Sequence, residues 1–153
     1  MNNTVYVLVG ISGAGKSTFI DKFLKTHPDV VVHTSDALRA VYGTGEGDQT
    51  VSGMVFSTIR YNVDRDLKSG KDVMIDATSL KRADRKIYIK LAIINNAKAV
   101  AYVLERDKET IMRNQQSRKD AGGRFVPENI IDDMFLKYKR PTTDEGFDQI
   151  ILI

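Results

Sequence analysis

The run Gly10-Ile11-Ser12-Gly13-Ala14-Gly15-Lys16-Ser17 constrains this chain more than any other feature, because it fits the pattern G-x-x-x-x-G-K-[ST]. It follows an apolar stretch over residues 5–9 and opens a segment with Phe19, Ile20, Phe23 and Leu24 on one helical face. A strand, a glycine turn and a helix make the setting that a phosphate-binding loop needs. Glycines let the backbone curl until several N–H groups point inward at the start of the helix. Lys16 is then placed to reach the β- and γ-phosphate oxygens, and the Ser17 hydroxyl to ligate Mg²⁺. Gly10, Ser12, Gly13, Ala14, Gly15, Lys16, Ser17 and Thr18 are the expected nucleotide contacts, with ATP and Mg²⁺ as the implied ligands.

The rest of the chain alternates in the same way. His27-Pro28 closes the first helix, since the residue before a proline is pushed out of the helical region. A second strand is predicted over residues 30–33, with Ser35-Asp36 capping a short helix through Tyr42 and a glycine-rich loop over residues 43–48. Val55, Ile59, Val63 and Leu67 form one buried stripe on a helix over residues 51–69, which Gly70 ends. A strand over residues 73–75 runs into Asp76, then come a helix over 81–95, a strand over 99–104 and a helix over 108–117. A basic loop, a helix starting at Pro127 and an apolar strand over residues 150–153 complete the pattern. Such alternation predicts an α/β fold with a mostly parallel sheet, helices on both faces and ligands at the carboxyl ends of the strands.

At 153 residues, with no repeat or linker-like stretch, the chain is expected to form a single domain over residues 1–153. The absence of cysteine excludes a disulfide framework and thiolate metal sites. No apolar run reaches membrane-spanning length, so the expectation is a cytoplasmic protein without membrane contact. The net charge of +3 suits an anionic ligand but also many unrelated proteins. Nothing in the sequence bears on oligomeric state.

Several residues beyond the loop are candidates for the chemistry. Asp36, just past the second strand, is either a helix N-cap or a general base for an acceptor hydroxyl. Arg39, three residues on, either pairs with Asp36 or clamps an acceptor phosphate. Asp76 ends an apolar strand, as does the acid that holds a water on Mg²⁺ in phosphate-loop enzymes, and Thr78 beside it could contact the acceptor. Lys81, Arg82, Arg85 and Lys86 form either a solvated helical face or part of an anionic groove, with Arg85 as its acceptor contact. Arg113, Arg118, Lys119 and Arg124 straddle Gly122-Gly123, where a mobile basic lid could cover transferring phosphates. Arg113 and Pro141 mark the expected neighbourhood of the adenine. Neither His27 nor His33 is placed for catalysis, and no His, Asp and Glu cluster suggests a transition metal.

The order GISGAGKST, Asp36-x-x-Arg39, VMIDAT, RNQQSR with its basic loop and Val126-Pro127 resembles the kinase domain of the phage-type and metazoan 5′-polynucleotide kinases. The closing Arg140-Pro141-Thr142-Thr143-Asp144-Glu145-Gly146-Phe147 is similar to a P-T-x-x-E-G-F ending in that group. The resemblance spans nearly the whole chain and implies an adenylate-kinase-like phosphate-loop fold with a basic lid. It further implies transfer of the γ-phosphate of ATP to the 5′-hydroxyl end of DNA or RNA. By position, Asp36 would be the base, Arg39 would bind the acceptor phosphate, and Arg118 or Arg124 would be the lid arginine on the donor phosphates. The other readings are a kinase of a small alcohol, such as a nucleoside or sugar, and a nucleotide-binding module without transfer chemistry.

Overall fold

A computed structural model describes residues 3–36 and 49–153. Its centre is β1 (Thr4–Val9), whose alternating side chains are buried on both faces: Val5, Val7 and Val9 on one, Leu8 on the other. Only a strand covered on both sides tolerates such a run of apolar residues. Helix α1 (Lys16–Thr26) follows the glycine loop, then β2 (Val31–Thr34), a 3₁₀ turn (Gln49–Val51), α2 (Ser52–Lys68) and β3 (Val73–Asp76). Helix α3 (Arg82–Ile94), β4 (Lys98–Val103), α4 (Lys108–Asp120), α5 (Glu128–Lys137), a 3₁₀ turn (Thr143–Glu145) and β5 (Gln149–Leu152) complete the order.

The strands pair in the order β2-β3-β1-β4-β5, and every pairing is parallel. Ile20 and Phe23 of α1 pack with Leu8, Val30 and Met74 on one face of the sheet. Val55, Ile59, Val63 and Leu67 of α2, with Tyr88, Ile89, Leu91 and Ala92 of α3, cover the opposite face. This is the expected α/β fold with helices on both faces. Residues 37–48 lie outside the described part, and with them Arg39, the short helix through Tyr42 and the glycine-rich loop.

Register places the functional rim. Thr34 is level with Asp76, and Val9 with Val103, so the chain leaves β1, β2, β3 and β4 along one edge. Two differences from the sequence reading concern helix ends there. Pro127 lies outside α5, in extended conformation at its N-cap, and α4 runs three residues past Ser117. Asp107 starts α4 by accepting a hydrogen bond from the Thr110 amide at 2.8 Å.

The expectation for Arg85 needs correction. It is 0% exposed and absent from the rim cavity. Its Nε and Nη2 donate to the two carboxylate oxygens of Glu145 at 2.9 and 3.1 Å, and its Nη1 donates to the carbonyls of Ser79 and Leu80 at 2.9 and 3.0 Å. These four bonds fix the turn after β3, where Ser79 takes a left-handed φ of 47°. Burial raises the Glu145 carboxyl, but the bonds from Arg85 and the Thr142 amide more than offset it and hold the group below its ordinary value. The other basic residues of this stretch stay at the surface, with Arg82 paired to Asp144 at 2.8 Å.

Breaking a buried, fully bonded ion pair leaves one charge unmatched, at a cost of about 3–5 kcal/mol. Glu145→Ala is therefore expected to lower unfolding stability by about that amount at pH 7 in urea melts. Because the folded-state carboxyl is depressed, the pair's contribution is present above the ordinary carboxylate range and lost as pH falls through the folded value. The gap between wild type and variant should accordingly narrow in acid.

Candidate functional site

The loop between β1 and α1 bends through left-handed backbone at Gly13 and Gly15, with φ of 93° and 98°. A Cβ at Gly13 would also stand 2.8 Å from Nε2 of Gln115 and 3.2 Å from the Ile111 carbonyl oxygen, so a side chain there would be strained by both backbone and neighbours. The loop is anchored at its start, where the Gly10 amide donates to the carbonyl of Thr78 at 3.1 Å. Arg85 braces the turn containing that carbonyl, so the buried ion pair reaches the phosphate loop through two hydrogen bonds in sequence.

The Lys16 ammonium folds back on the loop, donating to the carbonyls of Gly10 at 2.8 Å and Ile11 at 3.3 Å. Desolvation pulls its pKa down to about 8, while Asp76 and Asp36 act to keep it charged and Arg118 and Arg124 oppose them. Burial likewise raises the Asp76 carboxyl, with Lys16 and the Thr34 hydroxyl pulling it back. Ser17 and Asp76 line the same cavity. Among the described residues no three His, Cys, Asp or Glu converge, so a divalent ion here would draw most of its oxygens from phosphate and water. That donor set, one hydroxyl and one nearby carboxylate, suits Mg²⁺.

Most of the expected site residues meet in this cavity of about 1180 Å³. Ser12, Gly13, Gly15, Lys16, Ser17 and Thr18 line it from the loop and α1; Asp36, Asp76, Thr78, Arg118 and Arg124 line the remainder. Ala14 is buried within the loop, where its amide donates to the Ile11 carbonyl at 2.9 Å. Arg118 Nη2 donates to Ser12 Oγ at 3.0 Å and to Gln115 Oε1 at 2.6 Å. Arg124 Nη1 lies 3.0 Å from both carboxylate oxygens of Asp36. Arg113 does not join them: it is exposed on α4, near Glu109 and Thr110 at 3.4 Å, and away from the cavity wall.

Sequence reasoning missed Asn114 and Gln115. Asn114 Nδ2 donates to the Gly13 carbonyl at 2.7 Å, and Gln115 Nε2 to the Ser12 carbonyl at 2.8 Å. The Gln115 carbonyl oxygen also accepts the Val126 amide at 2.9 Å. A signal was present, since Gln115 lies one helical turn after the apolar Ile111, on the buried side of α4. An amide there must find buried partners, and the loop supplies them.

A phosphate arriving at Lys16 favours its charged form and raises its pKa. The complex then holds more protons than the free chain above pH 8, so nucleotide affinity should fall as pH rises through that value. Calorimetric titration of ADP at pH 8.5, in buffers of different ionisation enthalpy, is expected to show net proton uptake. Lys16→Met should show none.

Solved structures with this arrangement include the Pnkp1/Rnl/Hen1 RNA repair complex, with TM-score 0.75 and 24% identity over 89% of this chain and 44% of that one. A fungal RNA kinase has TM-score 0.69 and 14% identity, covering 100% of this chain and 38% of that one. A sugar kinase from Janibacter also has TM-score 0.69, with 17% identity, 100% of this chain covered and 85% of that one. The chain spans less than half the length of the first two, and likeness at these identities speaks for the fold. The match to a family model described as an AAA domain runs over residues 5–141, from the first strand through Pro141, and it makes this chain a member of that family.

Proposed function

We propose that the chain is an ATP-dependent polynucleotide 5′-hydroxyl kinase. The observation that carries the reading is Asp36, whose carboxylate lines the cavity that the phosphate loop opens into and is paired there with Arg124. A phosphate loop alone serves any nucleotide-binding protein; a carboxylate across the same cavity adds what transfer to a hydroxyl requires. A non-catalytic nucleotide-binding module would have no need of it.

The polyphosphate of ATP would lie in the loop against Lys16, and Ser17 and Asp76 would hold Mg²⁺. The bound ion would neutralise charge on the β- and γ-oxygens. Asp36 accepts the proton of the acceptor hydroxyl as its oxygen forms a bond to the γ-phosphorus. The bond from that phosphorus to the β,γ-bridging oxygen breaks, and ADP leaves. The two lid arginines divide the work by position. Arg118, on Ser12, stands on the donor side, and Arg124, on Asp36, stands on the acceptor side. Thr78 lies beside the acceptor path, and Arg39 would bind the acceptor phosphate.

A polynucleotide acceptor is favoured by the motif order and by the likeness in fold to RNA kinases, and a small alcohol is the alternative. The test is transfer from γ-labelled ATP to DNA and RNA oligonucleotides bearing a 5′-hydroxyl, with 5′-phosphorylated controls. Label only on the 5′-hydroxyl strands is expected. Absence of label despite intact ATP binding would overturn the acceptor assignment. Asp36→Asn should reduce kcat at least 100-fold, a loss in the range of general-base contributions, while leaving ATP affinity within about twofold. Equal loss of binding and turnover would overturn the assignment of Asp36 as base.

A further inference from the structure

Gln115 is wholly buried on α4 and uses both ends of its side-chain amide. Its Nε2 donates to the Ser12 carbonyl at 2.8 Å, while Oε1 accepts Arg118 Nη2 at 2.6 Å and the Val126 amide at 2.9 Å. The same Arg118 nitrogen donates to Ser12 Oγ at 3.0 Å. Ser12, Gln115 and Arg118 thus close a ring of hydrogen bonds with the phosphate loop as one side. Asn114 shows what support of the loop alone looks like: it donates one bond, to the Gly13 carbonyl at 2.7 Å.

Arg124 is tied to the same group through the backbone. Its segment is held on both sides, because the Gly123 amide donates to the Arg118 carbonyl at 2.7 Å and the Val126 amide to Gln115. A Cβ at Gly123 would stand 3.1 Å from that Arg118 oxygen, closer than most side chains tolerate. Arg124 and Phe125 are all that lies between the two anchors. The Arg124 guanidinium therefore sets out from a fixed base to reach Asp36, with Nη1 3.0 Å from both carboxylate oxygens.

In the kinase reading on which this inference rests, Arg118 serves the donor side of the cavity and Arg124 the acceptor side. We propose that Gln115 is a positioning residue for phosphoryl transfer, its one amide placing both arginines relative to the phosphate loop. It touches no reacting atom. Its contribution is to hold two long, rotamer-rich cations where charge develops, so that little reordering remains for the moment of transfer.

Two measurements test this. In ligand-free wild type, the Gly123 and Val126 amides are expected to exchange hydrogen at least tenfold more slowly than in an unstructured peptide. Exchange at the free rate would overturn the proposal, whatever the acceptor proves to be and whether or not any variant folds. The second measurement is transfer from ATP to a 5′-hydroxyl oligonucleotide by Gln115→Met, Arg118→Ala, Arg124→Ala and the two double variants, with urea melts to establish the folded fraction of each. Gln115→Met is expected to lower kcat by about tenfold to 100-fold, the scale of a misplacement near the reacting groups. Its cost should shrink at least threefold in a background lacking either arginine, since part of what it places is already gone. A loss of stability alone would cost the same factor in every background. Full, additive losses in both arginine-less backgrounds would therefore overturn the positioning role while leaving the kinase reading intact. Absence of transfer by wild type would overturn the kinase reading and the positioning role together.

Discussion

The buried side-chain amide of Gln115 is the point on which the rim of this sheet depends. Its Nε2 holds the Ser12 carbonyl, and its oxygen accepts both the Val126 amide and an Arg118 N–H. Few side chains could do this, because the position needs a donor and a double acceptor within one flat group. A carboxylate would lose the bond to Ser12, and an apolar residue would strand three polar groups in the interior. The phosphate loop and the basic segment after α4 therefore take their shape from the same group. Asn114 adds a second bond one residue along, to Gly13, where the left-handed turn leaves its carbonyl pointing at α4.

Around that framework the charges are interleaved. Lys16, Arg118 and Arg124 alternate with Asp36 and Asp76 in one cavity, and the strength of each interaction follows from how little water reaches it. Lys16 illustrates the balance: burial pulls its pKa down to about 8, while the Asp76 and Asp36 carboxylates act to keep it charged. The cations and dipoles are thus in position before any phosphate arrives, and little reorganisation is left for the moment of transfer. The Arg85–Glu145 pair does similar work one layer below. It touches no ligand site, but it fixes the Ser79–Leu80 turn next to the Thr78 carbonyl that anchors Gly10.

The fold was legible because period and punctuation agreed along most of the chain. The strand over residues 5–9, the glycine turn and the stripe from Val55 to Leu67 each specify one local structure and one buried face. The convergence of Asp36 and Asp76 with the phosphate loop also followed, since consecutive parallel strands end on one edge. Arg85 was misread because basic residues in a helical run look alike in sequence, and its partner Glu145 lies 60 positions away. The same holds for the similarity in the closing segment: Glu145 and Phe147 serve the interior, one holding Arg85 and the other packed in the main core. Gln115 was passed over because a glutamine in a polar helix is ordinarily solvated, and only Ile111 one turn earlier marked the buried side.

A charged and an apolar contribution to the cavity come from two consecutive residues. Arg124 binds the Asp36 carboxylate, and Phe125 lines the same cavity. The next residue, Val126, is buried and tied by its amide to Gln115, so the pair is carried on a short arm fixed at one end to the phosphate loop's own support. Any displacement of that arm changes the electrostatic environment of the Asp36 carboxylate and the lining of the cavity together.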